Sequence, residues 1–82
     1  MYKAKVTVTL RSSILDPQGK TVRQALENLA MPDVKEVRIG KVIEIMLASR
    51  TKEEAIATTE LACKKLLANP VMEEYSYTVE AA

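Results

Sequence analysis

The stretch with the most evident chemical potential is Gly19-Lys20-Thr21, which opens a segment of helical periodicity. At a helix start, backbone N–H groups and a lysine can hold phosphates. The full phosphate-loop pattern needs a glycine five residues before Gly19, and Ile14 stands there. Pro17 also lacks an N–H. Asp16-Pro17-Gln18-Gly19 instead suits a type I turn, with Asp first, Pro second and Gly fourth. Cys63 is the single cysteine and falls on an apolar helical face, so it reads as core and not as half of a metal-carrying thiol pair. Glu53, Glu54 and Glu60 read as first-turn charges and the solvated face of a helix. Tyr75 and Tyr77 share one side of a strand pattern, where tyrosines more often pack than stack on bases.

The absences constrain function further. The chain has no histidine, tryptophan or phenylalanine. The usual general base near neutral pH and the commonest metal ligand are therefore missing, and unaided catalysis is not expected. Twelve basic residues against eleven acidic ones give a net charge of +1, with no run of like charge. Binding to nucleic acid or to a membrane surface through bulk electrostatics is not expected. The amino end enters a strand pattern directly and no apolar run approaches the ~20 residues of a membrane span, so a cytoplasmic protein is expected. The lone cysteine fits a reducing compartment.

These residues must be positioned by a small scaffold. The 82 residues form one domain, 1–82, with 48% hydrophobic and 28% charged residues. A chain this short buries only about 60–65% of its unfolded surface, so self-association would supplement its core. Ala4, Val6, Val8 and Leu10 alternate with Lys3, Lys5, Thr7 and Thr9, giving a strand with one buried face. Thr21 with Gln24 forms a capping-box pattern, so a first helix is expected from there, with Val22, Ala25, Leu26 and Leu29 as its stripe and Pro32 beyond its end.

The most β-prone stretch, residues 34–47, places Val37, Ile39, Ile43, Ile45 and Leu47 on one face, with Gly40 and Lys41 interrupting the series. Two antiparallel strands joined near Gly40 are expected, Ile39 pairing with Ile43 across a three-residue loop. The rival is one long strand bent at Gly40 and reaching into a second protomer. Thr51 with Glu54 opens a second helix over residues 52–68, with Ala55, Ile56, Thr59, Ala62, Cys63, Leu66 and Leu67 on its apolar side. Asn69 suits a left-handed cap before Pro70. Tyr75, Tyr77 and Val79 complete a last strand.

The order β-α-β-β-α-β, with one apolar face per element, implies an α+β fold of two layers. This is a ferredoxin-like antiparallel sheet with both helices on one face and the first and last strands adjacent. Three features suit an assembly better than a free monomer. Ile14 and Leu15 lie in a polar loop, Leu61 lies on the outer side of the second helix, and Val42 and Met46 sit on the second sheet face.

At the level of motifs, Leu15-Asp16-Pro17-Gln18-Gly19, Val37-Arg38-Ile39-Gly40-Lys41 and Lys65-Leu66-Leu67-Ala68-Asn69-Pro70-Val71 together resemble the PurS family, as do Met1-Tyr2-Lys3-Ala4-Lys5-Val6 and Glu73-Glu74-Tyr75-Ser76-Tyr77. The resemblance spans essentially the whole chain. It implies the small subunit of phosphoribosylformylglycinamidine synthase, in de novo purine biosynthesis. That complex is a carbon–nitrogen ligase that makes the formylglycinamidine from formylglycinamide ribonucleotide, glutamine and ATP. The resemblance further implies a homodimer that bridges a large PurL-like synthetase subunit and a PurQ-like glutaminase subunit and assists ammonia transfer. ATP, Mg2+ and glutamine would be used by the complex and none bound by this subunit. Partner contact falls to Ile14, Leu15, Asp16, Pro17, Gln18, Gly19, Arg38, Gly40 and Lys41; the competing reading is that Asp16, Pro17, Gly19 and Gly40 only shape turns. A different function class remains open: a ferredoxin-like regulatory module binding a small ligand between protomers.

Overall fold

A computed structural model describes residues 1–82. The elements run β1 (Tyr2–Leu10), α1 (Pro17–Asn28), β2 (Gly40–Leu47), α2 (Lys52–Ala62) with a terminal π-helical turn (Cys63–Leu67), and β3 (Glu73–Ala81). β1 is the centre of a three-stranded antiparallel sheet ordered β2-β1-β3. Its alternation dictates this position: Ala4, Val6 and Val8 are fully buried against α2, while Lys3, Lys5 and Thr7 face water. The register sets Ala4 between Ile45 and Val79, and Val6 between Ile43 and Tyr77, so inward side chains align across all three strands. Tyr2 pairs with Ala81 and packs on the cluster that contains Val79. On the outer face Lys3 and Glu44 form an ion pair at 2.5 Å, and each holds the other in its charged form.

The α+β class and the antiparallel, ferredoxin-like sheet are as expected, but the strand count is three and no hairpin forms at Gly40. Residues 34–39 run extended without a strand partner, and Gly40 begins β2 opposite Thr9. β1 ends at Leu10, so the chain upstream of Gly40 has already passed the end of its neighbour. Period-two alternation cannot distinguish two paired strands from one that overruns the sheet. The chain does not fold back at Gly40, but neither does one long strand run through it: β2 begins there.

The first helix differs as well. Asp16-Pro17-Gln18-Gly19 is the helix start itself: Asp16 is the N-cap, Pro17 occupies the first helical position, and the Thr21 hydroxyl donates to the Pro17 carbonyl at 3.0 Å. Nor does α1 lie on the sheet of its own chain. Both core clusters draw on β1 and α2 or its π-helical turn and contain no α1 residue, and Gly19 is the one buried residue of α1. The protomer is accordingly elongated, with extents of 51 × 27 × 14 Å and a radius of gyration of 16.3 Å. A compact chain of this length would have a radius of gyration near ~12 Å.

In α2 the Thr51 side chain accepts the Glu54 N–H, as the capping pattern predicts. The residues of the helical body that are buried against the sheet are Ala55, Thr59, Cys63 and Ala68. That spacing is four, four, then five: the π-helical turn inserts one residue, rotating Leu66 out to solvent and Ala68 in. Asn69 is not left-handed; its side-chain oxygen accepts the Val71 and Met72 N–H groups in the turn before β3.

Candidate functional site

All nine residues expected to contact partners gather at one end of the sheet, around the start of α1. Asp16 is the hinge of this region. Its Oδ1 accepts the Gly19 N–H at 2.9 Å, capping α1, and its Oδ2 accepts the Ile39 N–H at 2.7 Å, pinning the extended segment. These two backbone donors, with Arg38 nearby, hold its carboxyl below the usual carboxylate range. Pro17 fits beside it because the first helical position has no use for an N–H.

Gly19 lets the helix touch that segment, since a Cβ there would sit 2.1 Å from the Val37 carbonyl oxygen. Gly40 likewise allows a close approach, its would-be Cβ lying 2.6 Å from the Val8 carbonyl oxygen and 2.7 Å from Thr9 Cγ2. Neither glycine has a positive φ, so each is required by space and not by a turn.

Arg38 closes the arrangement from the other side. One terminal nitrogen donates to the Leu10 carbonyl and, at 2.8 Å, to that of Arg11; the other reaches Glu36 at 3.5 Å. Arg11 in turn donates from its guanidinium to the Pro70 carbonyl at 2.9 Å and from its backbone to Met72. The end of β1, the extended segment and the turn before β3 are thereby tied together. Arg38 therefore acts as an internal strut, whatever it also presents to a partner.

Two open clefts flank Asp16. One, of about 470 Å3, takes Ile14, Leu15, Asp16, Gly19 and Arg38 into its walls; the other, of about 350 Å3, takes Asp16, Pro17, Gln18, Gly40 and Lys41. Ile14 is half-buried, whereas Leu15 is 71% exposed. Sequence reasoning missed Lys20, Arg23, Lys35 and Glu36, which also line the larger cleft. Lys35 and Glu36 immediately precede the Val-Arg-Ile-Gly-Lys run, which is the one signal that could have included them.

The arrangement offers donors, charges and apolar rim, and little reactive chemistry. No three of its Cys, Asp or Glu side chains come together as a metal-holding group. The Cys63 thiol is fully buried, and burial pushes it up from its ordinary range, away from the reactive thiolate. Tyr75 and Tyr77 stack with ring centres 6.4 Å apart, and burial, then Glu60, raises both phenols. No helix is long and apolar enough to cross a membrane.

Known proteins place this geometry. Residues 3–81 match the family model described as PurS, phosphoribosylformylglycinamidine (FGAM) synthase. The phosphoribosylformylglycinamidine synthase subunit PurS of Bacillus subtilis is 45% identical over 80 residues, covering 98% of this chain and 94% of that protein. Among solved structures, PurS of Methanocaldococcus jannaschii, one of the subunits of formylglycinamide ribonucleotide amidotransferase, superposes with a TM-score of 0.88 at 41% identity, covering 100% of this chain and 99% of that one. A chain of the PurLQS structure from Thermotoga maritima superposes with a TM-score of 0.87 at 35% identity, covering 96% of each. With a full-length family match and full-length structural agreement, the chain belongs to the PurS family of FGAM synthase subunits.

Proposed function

We propose that this chain is the small, non-catalytic subunit of a phosphoribosylformylglycinamidine synthase, holding a PurL-like synthetase and a PurQ-like glutaminase in register. The observation that carries the reading is the match along residues 3–81 together with the likeness to a chain of an assembled PurLQS complex. The chemistry supports it: a polypeptide without histidine and with its thiol sealed in the core lacks the usual general base near neutral pH and presents no reactive thiolate. ATP, Mg2+ and glutamine belong to the partners in this reading. Ammonia released into water at neutral pH is mostly ammonium, which is not a nucleophile, so a scaffold that keeps two sites in contact protects the yield of the reaction.

Self-association is part of the proposal. Val22, Leu29, Met31 and Ile39 are 38%, 66%, 47% and 39% exposed at the α1 end of an elongated protomer. A second copy covering this stripe supplies what the chain's own sheet leaves undone. Contact with the larger subunits is assigned to the two clefts around Asp16. The regulatory-module reading is not favoured: the relatives named above are FGAM synthase subunits, and both clefts are open. Capture from native lysate tests the function. Recovery of a synthetase and a glutaminase is expected, and failure to recover either in the presence of ATP and glutamine would overturn it.

A further inference from the structure

The larger cleft carries an electrostatic asymmetry that the scaffold role alone does not require. Although the chain is nearly neutral, this one recess gathers Lys20, Arg23, Lys35 and Arg38 against Asp16 and Glu36. Their commitments differ. Arg38 is spent on the Leu10 and Arg11 carbonyls and Glu36, and Asp16 on two backbone N–H groups. Arg23 pairs with Glu27 at 3.3 Å, yet its Nε is buried with no partner. Lys20 and Lys35 make no ion pair. Lys20 also lies near the positive end of α1, whose first turn holds no acidic side chain. The Asp16 carboxylate, as the N-cap, already meets that end of the helix, so Lys20 is left without a partner of its own.

We propose that this cleft receives an acidic segment of a larger subunit, its carboxylates meeting Lys20 and Lys35 while Ile14 and Leu15 cover its apolar side chains. The inference rests on the subunit role proposed above and names the chemistry of one contact. A free phosphate fits less well. Phosphate sites at helix starts use converging backbone donors, but here Pro17 has none and the Gly19 N–H is taken by the Asp16 carboxylate. What remains is a pair of flexible ammonium groups beside an exposed Leu15, which suits side-chain carboxylates on a peptide.

The test is a Lys20→Glu/Lys35→Glu double variant, compared with a Lys20→Arg/Lys35→Arg control. Both lysines are exposed, and circular dichroism and sedimentation confirm folding and self-association before binding is measured. Binding to the separately purified synthetase and glutaminase subunits is then followed at about 50 mM and about 300 mM salt. The expected result is wild-type binding that weakens with salt, at least about tenfold weaker binding by the glutamate variant at low salt, a flatter salt response, and retention by the arginine control. Equal binding by wild type and glutamate variant overturns the inference while leaving the subunit role intact. Wild-type protein that binds neither subunit overturns the subunit role itself. Loss of self-association in the glutamate variant overturns the inference in favour of a second copy in the cleft. Saturable binding of inorganic phosphate, abolished by the glutamate variant with subunit binding unchanged, overturns it in favour of a small anion.

Discussion

The Asp16 carboxylate accepts the Ile39 N–H at 2.7 Å, joining the start of α1 to a segment 23 residues further along the chain. Because its other oxygen caps α1, one side chain sets both the helix start and the path into β2. Its folded carboxyl is held below the ordinary value, principally by these two N–H donors. The stability this adds is present above the unfolded carboxylate range near about pH 4 and is lost as pH falls through the lower folded value. Asp16→Asn keeps one acceptor and turns an amide towards the second N–H. It is expected to lower the urea midpoint at neutral pH and to remove part of the acid sensitivity. A variant with the same midpoint and the same acid limb as wild type would show that the bridge contributes nothing.

The two glycines are expected to be intolerant of any side chain for reasons of space. Gly19→Ala drives a methyl towards the Val37 carbonyl, and Gly40→Val drives a branched side chain against Val8 and Thr9. Each should destabilise the isolated protein by about 1–3 kcal/mol, the usual range for overpacking. Chemical denaturation measures it; a normally stable Gly40→Val protein with lost complex activity would move Gly40 from shaping the fold to contacting a partner.

Ala30 is a non-glycine residue at φ 63°, directly after α1. The Met31 N–H reaches the Leu26 carbonyl at 3.1 Å and the Ala30 N–H reaches that of Glu27 at 3.0 Å, the pair of bonds that defines a Schellman end. Ala30→Gly relieves the left-handed strain and should stabilise the protein by about 0.5–1 kcal/mol, net of glycine's greater chain entropy. A lower thermal midpoint would contradict this.

The uncovered stripe on α1 gives the expectation for self-association. Leu29 is 66% exposed and is a member of neither core cluster, so Leu29→Glu should leave secondary structure intact. Sedimentation should then show a shift towards monomer. Unchanged association would move the interface elsewhere, the outer sheet face with Val42 and Met46 being the next candidate.

How much of this was legible in the chain depended on the range of the interactions. β1 was readable because its alternation is local and its buried set is Ala4, Val6 and Val8. The start of α2 was readable because Thr51 and Glu54 are three residues apart. Asp16-Pro17-Gln18-Gly19 was ambiguous: the residues that favour a type I turn also favour an N-cap followed by proline. The hairpin failed for a different reason. Whether residues 34–39 fold back is decided by Asp16 and by the Leu10 and Arg11 carbonyls, more than 20 residues away, and no pattern within the strand records them. The π-helical turn was invisible too, because a period of 100° assumes a regular helix and so misplaces Leu66 and Ala68. The nine expected site residues converged because two glycine-bearing motifs meet across the Asp16–Ile39 bond; the cleft lysines belong to neither motif.

The central claim is that this chain contributes geometry to an enzyme whose reactive groups lie elsewhere. Reconstituting the synthetase and glutaminase subunits with and without it, and following formation of the formylglycinamidine from glutamine and ATP, tests that most directly. Strong stimulation by the added chain is expected, with no turnover by the chain alone. Full glutamine-dependent activity in its absence, or product formed by the chain unaided, would contradict it.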